Sequence, residues 1–183
     1  KEVSLGNDGS ISLLNLKNCI NNDLANNYGN LCQRVLSFIE KNCESKIPQP
    51  DKFEKIDMDL SEDITKKLPK LIEMIDNQDL NTYIKEVINF SFKSNKYFND
   101  LEPWKLKKTN IKRMNTVLYC ILNQIKSISI LLFPIMPNSV EKTISSLSLT
   151  KKNIFLDEIN NQNLLKPGNI IKKGEILFKK IES

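Results

Sequence analysis

The sequence predicts an all-α fold, an antiparallel helix bundle followed by an extended C-terminal tail. Three observations lead there. Apolar residues recur at spacings of three, four and seven in four long stretches, the repeat that lines one face of a helix. Prolines sit at the edges of most of these stretches, at Pro48, Pro50, Pro103, Pro134 and Pro137, where helices stop or start. Strand-like alternation occurs only in the tail after Lys166.

The first helix is expected from Ser10 to Cys43. Asp8-Gly9 makes a turn, Ser10 caps, and Leu13, Leu16, Ile20, Leu24, Leu31, Val35 and Ile39 form the stripe. Gly29 inside it is unfavourable by about 1 kcal/mol relative to alanine, so something should pack closely against the backbone there. A second stretch, Leu60 to Asp76, contains Pro69 and should kink or restart at that point. A third, from Leu80 to about Tyr97, points Ile84, Val87, Ile88 and Phe92 inward. Phe98 to Trp104 reads as a non-helical elbow, because the residue before a proline avoids helical dihedrals. The fourth and strongest stripe is Ile111, Met114, Leu118, Ile121, Leu122, Ile125, Ile128 and Leu132. A short helix around Ser139 to Leu147 follows, and the tail carries Pro167-Gly168, Gly174, Ile176 and Phe178. The expected division is a bundle over 1–165 and a tail over 166–183 that packs back on it.

Composition narrows the function. With 183 residues and 40% hydrophobic content, the chain is long enough to bury one core. Its longest apolar run, Ile128 to Met136, is broken by Ser129 and Pro134, so no membrane span is expected. There is no histidine, and Cys19, Cys32, Cys43 and Cys120 contain no Cys-x-x-Cys pair. Metal chemistry and histidine-based catalysis are therefore disfavoured, and the cysteines are read as reduced and structural in a cytoplasmic protein. The start, Lys1-Glu2-Val3-Ser4, has neither a signal-peptide segment nor a methionine, the expectation for a soluble piece of a longer protein.

Charge is unevenly distributed. Residues 1–90 hold 11 basic and 15 acidic groups, and residues 91–183 hold 16 and 7. The basic half suits a polyanion at a fixed patch. Trp104, the only tryptophan, lies in the segment from Lys93 to Arg113, which has seven basic residues against two acidic ones. Of 27 basic residues only Arg34 and Arg113 are arginine, positions that can require a planar, bidentate group. Asn30 and Arg34 stand four apart and so share a helix face. A stacking ring, a guanidinium fork and an amide are the parts that read unpaired RNA bases. Arg34 has an alternative in an ion pair with Asp23 or Glu40, and Asn30 in a bond to its own helix. Arg113 suits a structural ion pair or a phosphate contact. A stand-alone protein-interaction module, with Trp104 as its hot spot, is the rival reading.

Specific motifs weigh on that choice. Asn21-Asn22-Asp23-Leu24-Ala25-Asn26-Asn27-Tyr28-Gly29-Asn30-Leu31-Cys32-Gln33-Arg34 closely resembles the N-x-DLAN-x-x-GNL-x-x-R helix that opens the anticodon-binding domain of bacterial methionyl-tRNA synthetases. Glu102-Pro103-Trp104-Lys105-Leu106 resembles that family's PW-x-L elbow. Arg113 to Tyr119, Leu131 to Pro137, Glu175 to Phe178 and Ile181-Glu182 match in order as well. Several class I synthetases share the DLAN-x-x-GNL signal, and the Pro103-Trp104 pair in its place favours methionine. Where the family closes with LFPRIE, this chain has Leu177-Phe178-Lys179-Lys180-Ile181-Glu182, a departure that bears on how the tail docks.

The resemblance implies an anticodon-binding bundle in which Trp104, presented by Pro103, stacks on the first base of a CAU anticodon. Asn30 and Arg34 would hydrogen-bond the bases, and Lys105, Lys107 and Lys108, with Arg113 as a further candidate, would meet phosphates. The implied partners are the anticodon stem-loop of methionine tRNA and a catalytic domain of the same polypeptide. Val3 to Gly9 resembles the stretch after that domain's mobile signature loop, so ATP and methionine would bind the absent domain, with no cofactor in this fragment.

Overall fold

The computed structural model describes residues 12–161 and 163–182. The expected cap Ser10, the Asp8-Gly9 turn and the Val3 to Gly9 stretch lie outside them. Ser12 caps the first described helix instead, its Oγ accepting from the Asn15 amide at 3.5 Å. α1 (Leu13–Cys19) passes into a π-helical segment (Ile20–Tyr28) and then into α2 (Gly29–Asn42) without a break. Next come α3 (Lys55–Asp76), α4 (Leu80–Asp100), the short α5 (Pro103–Thr109), α6 (Ile111–Leu132) and α7 (Pro137–Ser146). Two 3-10 turns, Lys151–Asn153 and Leu156–Ile159, lead to the tail.

The π segment coincides with the DLAN motif. Its hydrogen bonds reach one residue further than an α-helix's, shifting the helical phase. The stripe expected to run from Leu13 to Ile39 holds only beyond this segment: Leu31, Val35 and Ile39 are buried, whereas Leu13, Leu14 and Leu16 are all exposed and α1 buries no residue. Tyr28 anchors the segment in the core, its hydroxyl within 2.8 Å of Ser129 Oγ on α6 and 3.2 Å of Thr143 Oγ1 on α7.

α6 is the central helix. Met114, Leu118, Ile121, Leu122, Ile125, Ile128 and Leu132 are buried as the stripe requires, but Ile111, at the first position, is exposed. Among the described helices α6 is long and apolar enough to cross a membrane, and its most apolar stretch is 89% buried within the bundle. Lys126 is buried there too, its ammonium donating to the carbonyls of Asn161 (2.9 Å) and Ile159 (3.4 Å). Burial pushes its pKa down to about 8, against a smaller opposing pull from Glu158.

Pro69 lies inside α3, which runs through it without ending. The helix starts five residues earlier than its apolar pattern, because Glu54 and Asp57 form a capping box there. The elbow is shorter than expected: α4 extends through Phe98 to Asp100, and Pro103 opens α5 as its first residue. Only Leu101 and Glu102 turn the chain, with Glu102 in the left-handed region at φ 43°.

The tail is extended and held by side chains as much as by backbone. Its start pairs with the loop after α2, through Ile47 N–H to the Asn169 carbonyl (2.9 Å) and Gly168 N–H to the Ile47 carbonyl (2.9 Å). Its end returns to the π segment. There the amide of Asn21 bonds both the N–H and the carbonyl of Ile181, at 2.9 and 3.0 Å. Phe178 packs on Tyr28 with ring centroids 6.4 Å apart. It also accounts for Gly29, where a Cβ would lie 3.0 Å from the Phe178 ring and 3.0 Å from the Leu24 carbonyl oxygen. Among the described residues no His, Cys, Asp or Glu cluster suits a metal, and none of the four cysteines is in a disulfide.

Candidate nucleic-acid interface

α2, α4 and α5 meet around one phenylalanine. Phe98 ends the inward face of α4, is 2% exposed, and rests edge-on against Phe38 of α2 at 6.4 Å. The Arg34 guanidinium lies over its ring, 5.1 Å from the centroid, a cation–π contact strengthened by partial burial. Trp104 packs against the same ring edge-to-face at 5.9 Å and 73°, the geometry favoured by aromatic quadrupoles. Two residues 70 positions apart in the chain are thus held on one aromatic support.

Arg34 also donates from Nη2 to Asn99 Oδ1 at 2.8 Å. Neither carboxylate of the alternative reading, Asp23 or Glu40, takes that place. Asn30 is half-buried one turn earlier on α2. Its side chain makes no hydrogen bond among the described residues, so the alternative bond to its own helix is absent and the amide keeps both donor and acceptor.

The short turn explains how Trp104 is presented. Glu102 adopts a left-handed conformation that ordinary residues rarely take, and its carbonyl accepts from the Lys105 and Leu106 amides at 2.8 and 3.2 Å. Pro103 at the first helical position is buried. Trp104, next in line, leaves 39% of its surface in solvent. Lys107 and Lys108 are exposed on the same helix and carry no ion pair among the described residues. Lys105 is exposed but paired with Glu102 at 2.8 Å.

Arg113 does not join this surface. Its side chain is 9% exposed and grips the fully buried carboxylate of Asp57 with two nitrogens, Nη2 to Oδ1 at 2.8 Å. Tyr97 also donates its hydroxyl to Asp57, and the Glu54 amide donates at 2.8 Å. Burial pushes the Asp57 carboxyl up, but the bonds from Arg113, Tyr97 and Glu54 outweigh it and hold its pKa below the ordinary value. The phosphate contact expected of Arg113 therefore gives way to the structural ion pair, because its guanidinium is already committed. Sequence reasoning missed Phe98 and Asn99. Both lay in the stretch read as a non-helical elbow, and only the extension of α4 shows both facing Arg34.

The bundle that presents this surface is of the class of helical anticodon-binding domains. Residues 47–183 match the family described as the anticodon binding domain of methionyl tRNA ligase. The chain is 34% identical to the methionine–tRNA ligase of Thermotoga maritima and 32% identical to that of Rickettsia conorii, in each case over 100% of this chain. It spans 29% and 36% of those relatives. The fold superposes on the free-state Mycobacterium tuberculosis methionyl-tRNA synthetase with a TM-score of 0.93 and 28% identity, covering 100% of this chain and 37% of that one. The chain belongs to the anticodon-binding domain family of methionyl-tRNA ligases.

Proposed function

We propose that this domain reads the CAU anticodon of methionine tRNA as part of a cytoplasmic, membrane-free methionine–tRNA ligase. The catalytic domain of the same polypeptide would bind ATP and methionine and join the amino acid to tRNA. The observation that carries the reading is the meeting of Arg34 and Trp104 on Phe98, which supports a surface where one base stacks while a planar fork meets its edge. Trp104 stacks on the first anticodon base, cytosine. Arg34 and the uncommitted amide of Asn30 bond base edges, matching a cytosine's paired acceptors and amine donor as a point charge does not. Lys107 and Lys108 meet phosphates, with Lys105 joining when it leaves Glu102. Those contacts add affinity without sequence information.

The test is a titration of the chain with an anticodon stem-loop bearing CAU and with one carrying a purine in place of the cytosine, followed by tryptophan fluorescence. Quenching selective for CAU is the expected result. Equal, salt-labile quenching by both loops would reduce the site to a basic surface. A silent tryptophan without binding would favour a protein-interaction module instead.

A further inference from the structure

Phe92 is a second exposed aromatic near this surface, and any role for it in binding depends on the RNA-reading proposal. Helical periodicity points Phe92 inward, yet it is 49% exposed, more than Trp104. On α4 it precedes Asn99 by seven residues, so the two share a face about 10 Å apart along the axis. Asn99 holds Arg34.

The neighbouring contacts set the register. Asn27 donates to the Ile88 carbonyl at 3.3 Å, and Asn95 donates to Asn27 Oδ1 at 3.0 Å. Seven residues further along the first helix, Arg34 meets Phe98 and Asn99. The first helix and α4 therefore run parallel here, and Asn30 lies at a level between these two sets of contacts. Along the groove the order is Phe92, Asn30, Arg34 with Asn99, then Trp104. An aromatic stands at each end, and the hydrogen-bonding groups stand between.

The surroundings favour a nucleotide over a protein surface. On the same face of α4 the solvent-reaching neighbours of Phe92 are Lys85, Asn89, Asn95, Lys96 and Asn99, none apolar, while Ile88 is buried. The ring is therefore isolated rather than part of an apolar patch. Three lysines stand beside the ring: Lys85 with no ion pair among the described residues, Lys93 in a solvent-reaching pair with Asp63 (2.6 Å) and Lys96 in one with Asp100 (2.5 Å). A lone ring among lysines and amides suits a base that stacks while its backbone passes the lysines. We propose that Phe92 is a stacking platform for the unpaired nucleotide that follows the third anticodon base, on the side away from the base taken by Trp104. It supplies affinity and not identity, because every base offers a π face.

The experiment measures anisotropy of labelled stem-loops with the whole chain, as wild type, Phe92→Ala and Phe92→Tyr. The loops are CAU, its purine-substituted form, and CAU made abasic at the nucleotide after the triplet. Phe92→Ala should weaken the CAU loop about 5- to 100-fold, with Phe92→Tyr near wild type and the preference for CAU over the purine loop unchanged. The abasic loop should weaken wild type to a similar extent and Phe92→Ala no further. An unchanged urea midpoint checks that the variants fold. If wild type prefers CAU and Phe92→Ala binds it equally well, or if the two losses simply add, the Phe92 assignment is overturned while the anticodon reading stands. If wild type shows no preference for CAU, the reading and this inference fall together.

Discussion

The Arg34 guanidinium lies 5.1 Å above the ring centroid of Phe98, the ring that also supports Trp104 at 5.9 Å. Asn99 closes the arrangement with a 2.8 Å bond to Nη2. Arg34→Lys should therefore fail to conserve function, because a point charge cannot lie flat on Phe98 and still present a fork. Binding to a CAU stem-loop should weaken by about 1 to 3 kcal/mol, as should Asn30→Ala, and Trp104→Ala by a similar amount. Isothermal titration with matched and mismatched loops checks this, and a Trp104→Ala chain as selective as wild type would refute the site.

Arg113 should act on stability instead. Removing it leaves Asp57 buried without its cation, a change expected to destabilise by about 3 to 5 kcal/mol. Arg113→Ala should shift the urea midpoint strongly while leaving the ratio of affinities for matched and mismatched loops intact. A changed ratio in folded protein would return Arg113 to the binding surface.

Asp57 also fixes an acid dependence. Its folded pKa lies below its unfolded value of about 4, since the bonds from Arg113, Tyr97 and Glu54 overcome its burial. Its contribution to stability is complete above the unfolded value and is lost as pH falls through the folded one. Acid titrations of wild type and Asp57→Asn by circular dichroism should show a wild-type decline below about pH 4 that is shallower in the variant.

Lys126 gives the opposite limb. Its folded pKa of about 8 lies below the ordinary 10.5, so between these values the unfolded chain binds a proton that the folded chain does not. Stability referenced to Lys126→Met should rise across that interval, by at most about 3 kcal/mol, and level off above it. Urea midpoints at pH 7 to 11 for both proteins measure the difference, and parallel curves would contradict it.

Gly29→Ala should destabilise the protein despite alanine's helix preference of about 1 kcal/mol. The new methyl would sit 3.0 Å from both the Phe178 ring and the Leu24 carbonyl oxygen. The tail ring can shift, but the carbonyl belongs to the π segment and cannot. Adding Phe178→Ala should therefore not restore stability. Thermal melts of the single and double variants decide this.

Much of the candidate site is legible in the sequence because its parts are unusual residues at informative spacings. The lone tryptophan after a proline, the scarce arginines and the four-residue step from Asn30 to Arg34 all stand out without coordinates. The apolar stripes likewise disclose four long helices, since periodicity records which residues share a face. Periodicity does not record which neighbour covers that face. Phe92 carries the inward signal of its helix but finds no neighbour, and Leu13 and Leu16 stay exposed because α1 has no face covered among the described residues. Phe98 and Asn99 join Arg34 only because α4 continues past the expected elbow. Arg113 could be assigned only once Asp57, 56 residues away, was seen beneath it. Local pattern and composition were enough to establish the helical class and the basic half and to single out the candidate reading groups. Which ring carries Arg34 and Trp104, which arginine is locked in a buried ion pair and which aromatic faces water were settled by the folded chain, because they depend on contacts between distant segments that no local spacing encodes.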